Sequence, residues 1–389
     1  MDQILFIMEK YYHPVRVEHY DWNTFENFLS VLDVLEKSSS PGFPYSQDKP
    51  TIGEWLGFNG LTYDPFQIQI LWHSVRNLID QDEISPLWRV FIKKEPHKMT
   101  KADSKRWRLI AACPLDLQVL WQMLFAKQNS KQIEEAQFIP SIQGMKIPFG
   151  NWKYYYNLWV RNGTTSGADM TAWDWTCRGW MLDLDLRLRK RLITTDNDWY
   201  VQADKLYKDA FVDCRLLLSD GRIYQQQYPG VMKSGCVNTI STNSHAQVML
   251  HILYSLRKGI SFEPMVFAVG DDTLKHPKHL EDLSLYESFG VKIKTVSETL
   301  EFLGREWVDR GMLPMYTSKH LFKLMTQTED FLPETLDAYL REYVNTPEEY
   351  ELLEKLVSKL SLVGKVHSRE YYKFWLDNPL AEYCNVYDR

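Results

Sequence analysis

Apolar residues recur at helical spacing over residues 19 to 37 and give way to Pro41, Gly42 and Pro44, which stop regular structure. The same period predicts helices in "DPFQIQILWHSVRNLI", over 116 to 135, and over the aromatic-rich segment 151 to 162. Another helix is expected where Trp180, Leu184, Leu188 and Leu192 recur every fourth residue, and a long one following "VMKSGCVNT" and stopping near Gly259. Short apolar runs predict strands. "RVFI" and "RLIAA" flank a polar loop, "SGADM" precedes a helix, and "FEPMVFAVGDDTLKH" reads as strand, tight turn, strand. Asp220-Gly221 signals a hairpin inside an insertion over 196 to 228. "SLYESFGVKIKTV" reads as helix then strand, "EFLGREWV" as a hairpin, and residues 317 to 389 as mostly helical. The order is mixed α/β (α+β), with the central strand and helix blocks split by the insertion.

Composition narrows this picture only a little. A formal charge of −6 over 389 residues neither supports nor excludes a nucleic-acid partner, since what matters is where the positive charge sits. Cys113, Cys177, Cys214, Cys236 and Cys384 show no CxxC spacing, so neither a zinc cluster nor a disulfide framework is indicated, and a reducing compartment is the natural reading. No apolar run approaches the roughly 20 residues that span a bilayer, and the N-terminal residues lack a secretory pattern.

The chemistry concentrates at carboxylates on strand ends. Asp169 closes a strand before a helix, Asp174 follows it, and Asp271 and Asp272 lie at a hairpin tip. An Asp before a helix also serves as a cap, and an Asp in a hairpin as turn chemistry. A doubled Asp after "FAVG" is different, because two like charges repel unless a cation relieves them. If the two strands are neighbours, Asp169 and Asp271 can face one another, and hard carboxylates from separate strands suit Mg²⁺ or Mn²⁺. Two such ions activate an attacking hydroxyl and stabilise a leaving phosphate.

Two loops would complete such a centre. Lys93, Lys94, Lys105, Arg106 and Arg108, with Trp107 among them, form a dense basic run anchored by strands at both ends. Arg forks match phosphate oxygens, so the run could hold a triphosphate, although a solvated charged face is the plainer alternative. In "KSGCVNTISTN", Ser234 and Gly235 suggest a flexible loop, and Thr239 and Asn243 stand four apart on one helix face. They could simply cap the helix, or read a ribose 2′-hydroxyl together with Asp174.

These segments together resemble the RNA-dependent RNA polymerases of positive-strand RNA viruses. "DMTAWD" (169 to 174), "SGCVNTISTN" (234 to 243) and "GDD" (270 to 272) resemble the three palm motifs in order and spacing. The basic run resembles the fingers motif over the nucleotide channel, "SSPGFPY" (39 to 45) the motif beside the template entrance, and "EFLGREW" (301 to 307) the hairpin that grips the primer strand. "KKEPHK", "GVMKSGCVNTISTNS" and "DMTAWDW" resemble most the sobemovirus-like and polerovirus-like enzymes.

The resemblance implies a right hand of fingers, palm and thumb, its palm built on an RNA-recognition-like antiparallel sheet. Residues 1–164 would be fingers with an N-terminal extension to the thumb. Residues 165–195 and 230–310 would be palm, 196–229 a fingers insertion, and 311–389 a small helical thumb. It also implies two Mg²⁺ ions, replaceable by Mn²⁺, on Asp169, Asp271 and Asp272. Asp174, Ser234, Gly235, Thr239 and Asn243 would contact the ribose, and Lys93, Lys94, Lys105, Arg106 and Arg108 the triphosphate. Ser40, Pro41, Gly42 and Pro44 would line the template channel. Lys294, or its neighbour Lys292, would protonate pyrophosphate if burial lowers its pKa. Partners would be single-stranded RNA template, nascent RNA, nucleoside triphosphates, a genome-linked protein primer and other viral replication proteins. The setting would be a membrane-associated replication complex in the host cytoplasm. The short stretch after "EFLGREW" predicts a small thumb and a wide channel, favouring primer-independent or protein-primed initiation. A reverse transcriptase would use the same carboxylates but needs a bulky gate against the 2′ position. A noncatalytic RNA-binding protein would have no need of the acidic trio.

Overall fold

The computed structural model describes residues 1–97 and 99–383, and some of its helices begin and end where the sequence supplies caps. Asp64 accepts from Phe66 N at the head of Pro65–Asp80, and Asp196 accepts from Trp199 N at the head of Asn197–Phe211. Thr239–Lys258 ends at Gly259 in the left-handed conformation, as glycine permits. The helices expected over 116 to 135 and 151 to 162 are Leu115–Glu134 and Asn151–Asn162. Several elements escape the sequence reading, among them the helices Asp2–Tyr11 and Asn197–Phe211. A one-turn helix, Met99–Asp103, interrupts the basic loop, and a third strand, Gly311–Pro314, extends the 301–308 hairpin into a meander. Both are too short for periodicity to register.

The chain forms two compact units. The first comprises Met1–Gly144, Met170–Asp271 and Asp282–Lys294, and the second Met145–Asp169, Asp272–Glu281 and Thr295–Arg389. Within the first, a four-stranded sheet runs in the order Leu109–Ala112, Leu87–Ile92, Arg215–Leu217, Ile223–Gln225. Its outer pairs are antiparallel and its central pair parallel, so the strands flanking the basic loop are joined by the expected 220–221 hairpin.

The 239–258 helix of this unit is buried at every position from Ser241 to Ile252. Burying that many polar side chains demands internal partners. Asp185 supplies two of them, for Thr242 and His245. Its carboxylate accepts from Arg189 Nε (3.1 Å), Tyr207 OH (2.6 Å), Thr242 Oγ1 (2.7 Å) and His245 Nδ1 (2.5 Å). Arg189 donates onward to Ser241 Oγ (2.6 Å) and to Asn129 Oδ1 (3.1 Å), which brings in the 115–134 helix. Burial alone would raise the Asp185 carboxyl, but Arg189, His245 and the hydroxyls outweigh it and hold it well below the usual carboxylate range. Leu184, Leu188 and Leu192 are buried beside this network and Trp180 half-buried, as their spacing predicts.

In the second unit, Ser166–Met170 and Asp272–Lys275 pair antiparallel with Ala168 opposite Thr273. Trp159 packs edge-on against Phe302 and Trp307 of the meander, at 5.5 and 4.8 Å between ring centres. The C-terminal helices close on a core that includes Leu336, Leu340, Tyr350 and Val357. Among the described residues, no helix is long and apolar enough to cross a membrane, and Cys113, Cys177, Cys214 and Cys236 are free and buried. Cys384 lies outside the described residues.

Two tests follow from the buried charges. Asp185→Ala strands Arg189 and His245 without their acceptor and should cost about 3–5 kcal/mol, read as a lower denaturation midpoint, while Asp185→Asn should cost less. Lys275 is fully buried, and burial brings its ammonium down to about 7 from 10.5. Between those values the unfolded chain keeps a proton that the folded chain has lost, so wild-type stability should rise with pH across that window. The melting temperature of Lys275→Met minus that of wild type should therefore fall between about pH 6 and about pH 9. A pH-independent difference would contradict this.

Candidate active site

The register between Ser166–Met170 and Asp272–Lys275 ends with Ala168 opposite Thr273, and Asp169 and Asp272 are the next residues of the two strands. Thr273 Oγ1 donates to Ala168 O (3.2 Å) at the last paired position. Gly167 fits because a Cβ there would lie 2.3 Å from Glu301 O. Asp169 is half-buried, whereas Asp271 and Asp272 are exposed. Just before them, Gly270 adopts φ +64°, a conformation that glycine takes without strain, and its N–H donates to Ser244 Oγ (2.8 Å). The turn bearing Asp271 is thereby tied to the buried 239–258 helix. Among the described residues, no group of three or more His, Cys, Asp or Glu is gathered into a metal cage. Mg²⁺ needs only one or two carboxylates, with water and substrate phosphates completing its shell, and carboxylates such as Asp169 and Asp272 are the donor type it takes.

In the first unit, the Ser234 hydroxyl donates to Asp174 Oδ2, and Met232 N donates to Asp174 O (2.8 Å). Two motifs distant in sequence thus form one site. The expected flexibility of the Ser234–Gly235 loop is not what is found. A Cβ on Gly235 would lie 2.3 Å from Ala111 O, so this glycine serves close packing against a strand. Thr239 Oγ1 lies within donating distance of Lys233 O (2.9 Å) and Cys236 O (2.7 Å), which commits its proton to the loop's own backbone. Asn243 is buried and its Oδ1 has no partner, an acceptor available to a ligand.

The basic loop carries a counter-charge that its composition obscured. Glu95 pairs with Arg108 (3.0 Å) and Lys93 (3.4 Å). Burial acts to raise the Glu95 carboxyl, and the two cations outweigh it. Lys94, Lys105 and Arg106 are exposed, with Arg106 Nε donating to Ser104 Oγ (3.2 Å). Of the residues expected along the template channel, Ser40 is half-buried and Pro44 exposed, while Pro41 and Gly42 are buried. A Cβ on Gly42, at φ +68°, would strike Cys113 O at 2.2 Å, so Gly42 is a packing position. Lys294 is exposed and so is Lys292, which pairs with Glu287 (3.5 Å); neither has the burial its proposed acid role requires.

The second unit adds a cavity of about 450 Å³ lined by Asp272, Arg305, Tyr316, His320, Tyr339 and Glu342. Arg305 is held by Glu342 (2.6 Å), and the rings of His320 and Tyr339 stack at 5.2 Å. No motif pointed to His320, Tyr339 or Glu342. The only available signal was the helical pattern of the C-terminal segment, which says nothing of what those helices face.

The sequence model for viral RNA-dependent RNA polymerase matches residues 21–364. Protein P1-P2 of Potato leafroll virus is 29% identical over 382 residues, covering 89% of this chain and 34% of the relative. Protein P2-P3 of Poinsettia latent virus is 30% identical over 341 residues, covering 78% and 29%. The chain therefore spans about a third of the length of these relatives. Sobemovirus replicases also match, in line with the wording of the motifs. Among solved structures, the Sicinivirus 3Dpol RNA dependent RNA polymerase superposes with a TM-score of 0.75 at 16% identity, covering 98% of this chain and 86% of that one, so the right-hand polymerase fold is shared. The chain belongs to the viral RNA-dependent RNA polymerase family.

Proposed function

We propose that this chain performs template-directed RNA synthesis in viral genome replication and transcription, adding ribonucleotides to a growing 3′ end. The observation that carries the reading is the hydrogen bond from Ser234 to Asp174, which joins the first and second palm motifs where a ribose would be read. The buried, unpartnered Oδ1 of Asn243 supports it, since a 2′-hydroxyl can donate to such an atom. On this reading residues 1–164 are fingers, 165–195 and 230–310 palm, 196–229 a fingers insertion, and 311–389 thumb.

Divalent metal ions are general to the family. We assign Mg²⁺, replaceable by Mn²⁺ and two ions at a time, to Asp169, Asp271 and Asp272. Bound there, the ions would acidify the attacking hydroxyl and neutralise phosphate charge. The 3′-oxygen bonds to the α-phosphorus of a template-paired nucleoside triphosphate while the bond to the bridging pyrophosphate oxygen breaks. Arg108 and Lys93, oriented by Glu95, with Lys94, Lys105 and Arg106, face the triphosphate and neutralise the departing charge. Lys294 is assigned to donate a proton to pyrophosphate, with the bound substrate supplying the burial. Asp174, Ser234 and Asn243 check the ribose, while Thr239 and Gly235 hold the loop in shape. Base choice belongs to the template, consistent with a site without a base-reading motif.

Ser40 and Pro44 are assigned to the template path, with Pro41 and Gly42 packing behind them. The cavity beside Asp272 is assigned to the nascent strand. Template RNA and nucleoside triphosphates are the substrates, and a genome-linked protein primer and other replication proteins the partners, in a membrane-associated complex of the host cytoplasm.

The test is radiolabelled ribonucleotide incorporation on a defined RNA with Mg²⁺. Wild type should incorporate label only when template is supplied, and Asp271→Ala should abolish incorporation while still binding RNA. Equal incorporation by the two proteins would overturn the assignment.

A further inference from the structure

The loop that delivers Ser234 starts from backbone that no side-chain-bearing residue adopts readily. Val231 has φ +58°, and the preceding Gly230 has φ +132°. Such conformations persist only where the surroundings over-determine them. Backbone bonds hold part of this loop, from Gly230 N to Phe211 O (2.9 Å) and from Val231 N to Cys177 O (2.9 Å), and two side chains outside the palm motifs' ribose set add to them. Gln226, just past the strand Ile223–Gln225, points its amide nitrogen at three carbonyl oxygens: Tyr228 (2.7 Å), Phe211 (2.8 Å) and Gly230 (3.0 Å). Its own backbone N–H donates to Cys214 O (2.9 Å), fixing the residue to the insertion. Its side-chain oxygen accepts from Lys233 Nζ.

Lys233 is only 2% exposed, an unusual depth for a lysine with no carboxylate among its hydrogen-bond partners. Its ammonium turns back on its own loop, reaching Val231 O (3.0 Å) and Gly230 O (3.5 Å) as well as Gln226, and lies 5.8 Å from the centre of the Phe211 ring. An apolar side chain of the same length would fill the volume but take away the ammonium's donation to Val231 O and the Gln226 side-chain oxygen. The lysine's own carbonyl accepts from Cys236 N (2.8 Å) and lies 2.9 Å from Thr239 Oγ1. One residue therefore holds the loop on both sides of the turn, and the next residue in the chain is Ser234.

We propose that Gln226 and Lys233 form a clip that sets the position of Ser234 against Asp174, making both positioning residues for discrimination between ribo- and deoxyribonucleotides. The proposal rests on the polymerase reading above. It assigns part of the sugar specificity to the 196–228 insertion, which otherwise carries none of the palm motifs. The clip touches no substrate, because its atoms are spent on backbone oxygens and on each other. Its effect on the sugar passes through the Ser234 hydroxyl.

The test is a double-mutant cycle of Gln226→Met, Lys233→Met and the pair, read as kcat/KM for ATP over kcat/KM for 2′-deoxyATP on a template that calls for adenosine. Each single variant should lower that ratio about tenfold, the effect of one lost charge-assisted hydrogen bond. The double variant should lower it no further than the worse single, because each substitution alone already opens the clip. Activities with ATP and 2′-deoxyATP falling in parallel at an unchanged ratio would overturn the proposal, as would additive effects. Gln226 is only half-buried, so Gln226→Met carries the test if Lys233→Met does not fold. A wild type that makes no RNA would sink the polymerase reading and not the clip. The clip is then judged by equilibrium binding of ATP against 2′-deoxyATP, a preference that Gln226→Met should narrow and that must remain unchanged if the clip is wrong.

Discussion

The first unit depends on one buried carboxylate. Asp185 accepts four hydrogen bonds, from Arg189, Tyr207, Thr242 and His245, and has no contact with solvent. A lone charge at that depth would be prohibitive, and the guanidinium four residues away makes it tolerable. What the network secures is the position of the 239–258 helix. That helix presents Thr239 to its own loop, Asn243 as an open acceptor, and Ser244 to the backbone of Gly270. A polar helix in the interior is costly, and here its polarity is shared between holding the helix in place and serving the site.

The same constraint governs the loop that carries Ser234. Ser234 and Asp174 meet because backbone on every side is constrained: Gly235 lies against Ala111, Met232 donates to Asp174, and Lys233 closes on Gln226. Rigid elements hold reacting groups better than free loops do, and a loop pinned by this many contacts behaves as a rigid element. The basic loop follows the same logic, with Glu95 orienting two of its cations.

Much of this was legible in the sequence, for definite reasons. Helix positions followed from apolar spacing, because burial of one face needs a regular period. The acidic and loop motifs were legible because their chemistry is local: a doubled Asp, a glycine before it, a serine-glycine pair. What escaped were contacts that no helix or strand period brings together. Asp185 with His245, Gln226 with Lys233, and the cavity's His320 and Tyr339 leave no spacing signal. Gly235 misled for the same reason, since its neighbour Ala111 cannot be seen from the loop alone. Glu95 was in plain view, but a carboxylate inside a cationic run reads as charge dilution until its partners are known.

On the proposed function, the template dictates which ribonucleotide is added. The most direct measurement is incorporation of each of the four labelled ribonucleotides on a poly(U) template and on a poly(C) template. AMP should be added on the first and GMP on the second, the choice switching with the template alone. The same nucleotide added to both, or addition that ignores the template, would contradict it.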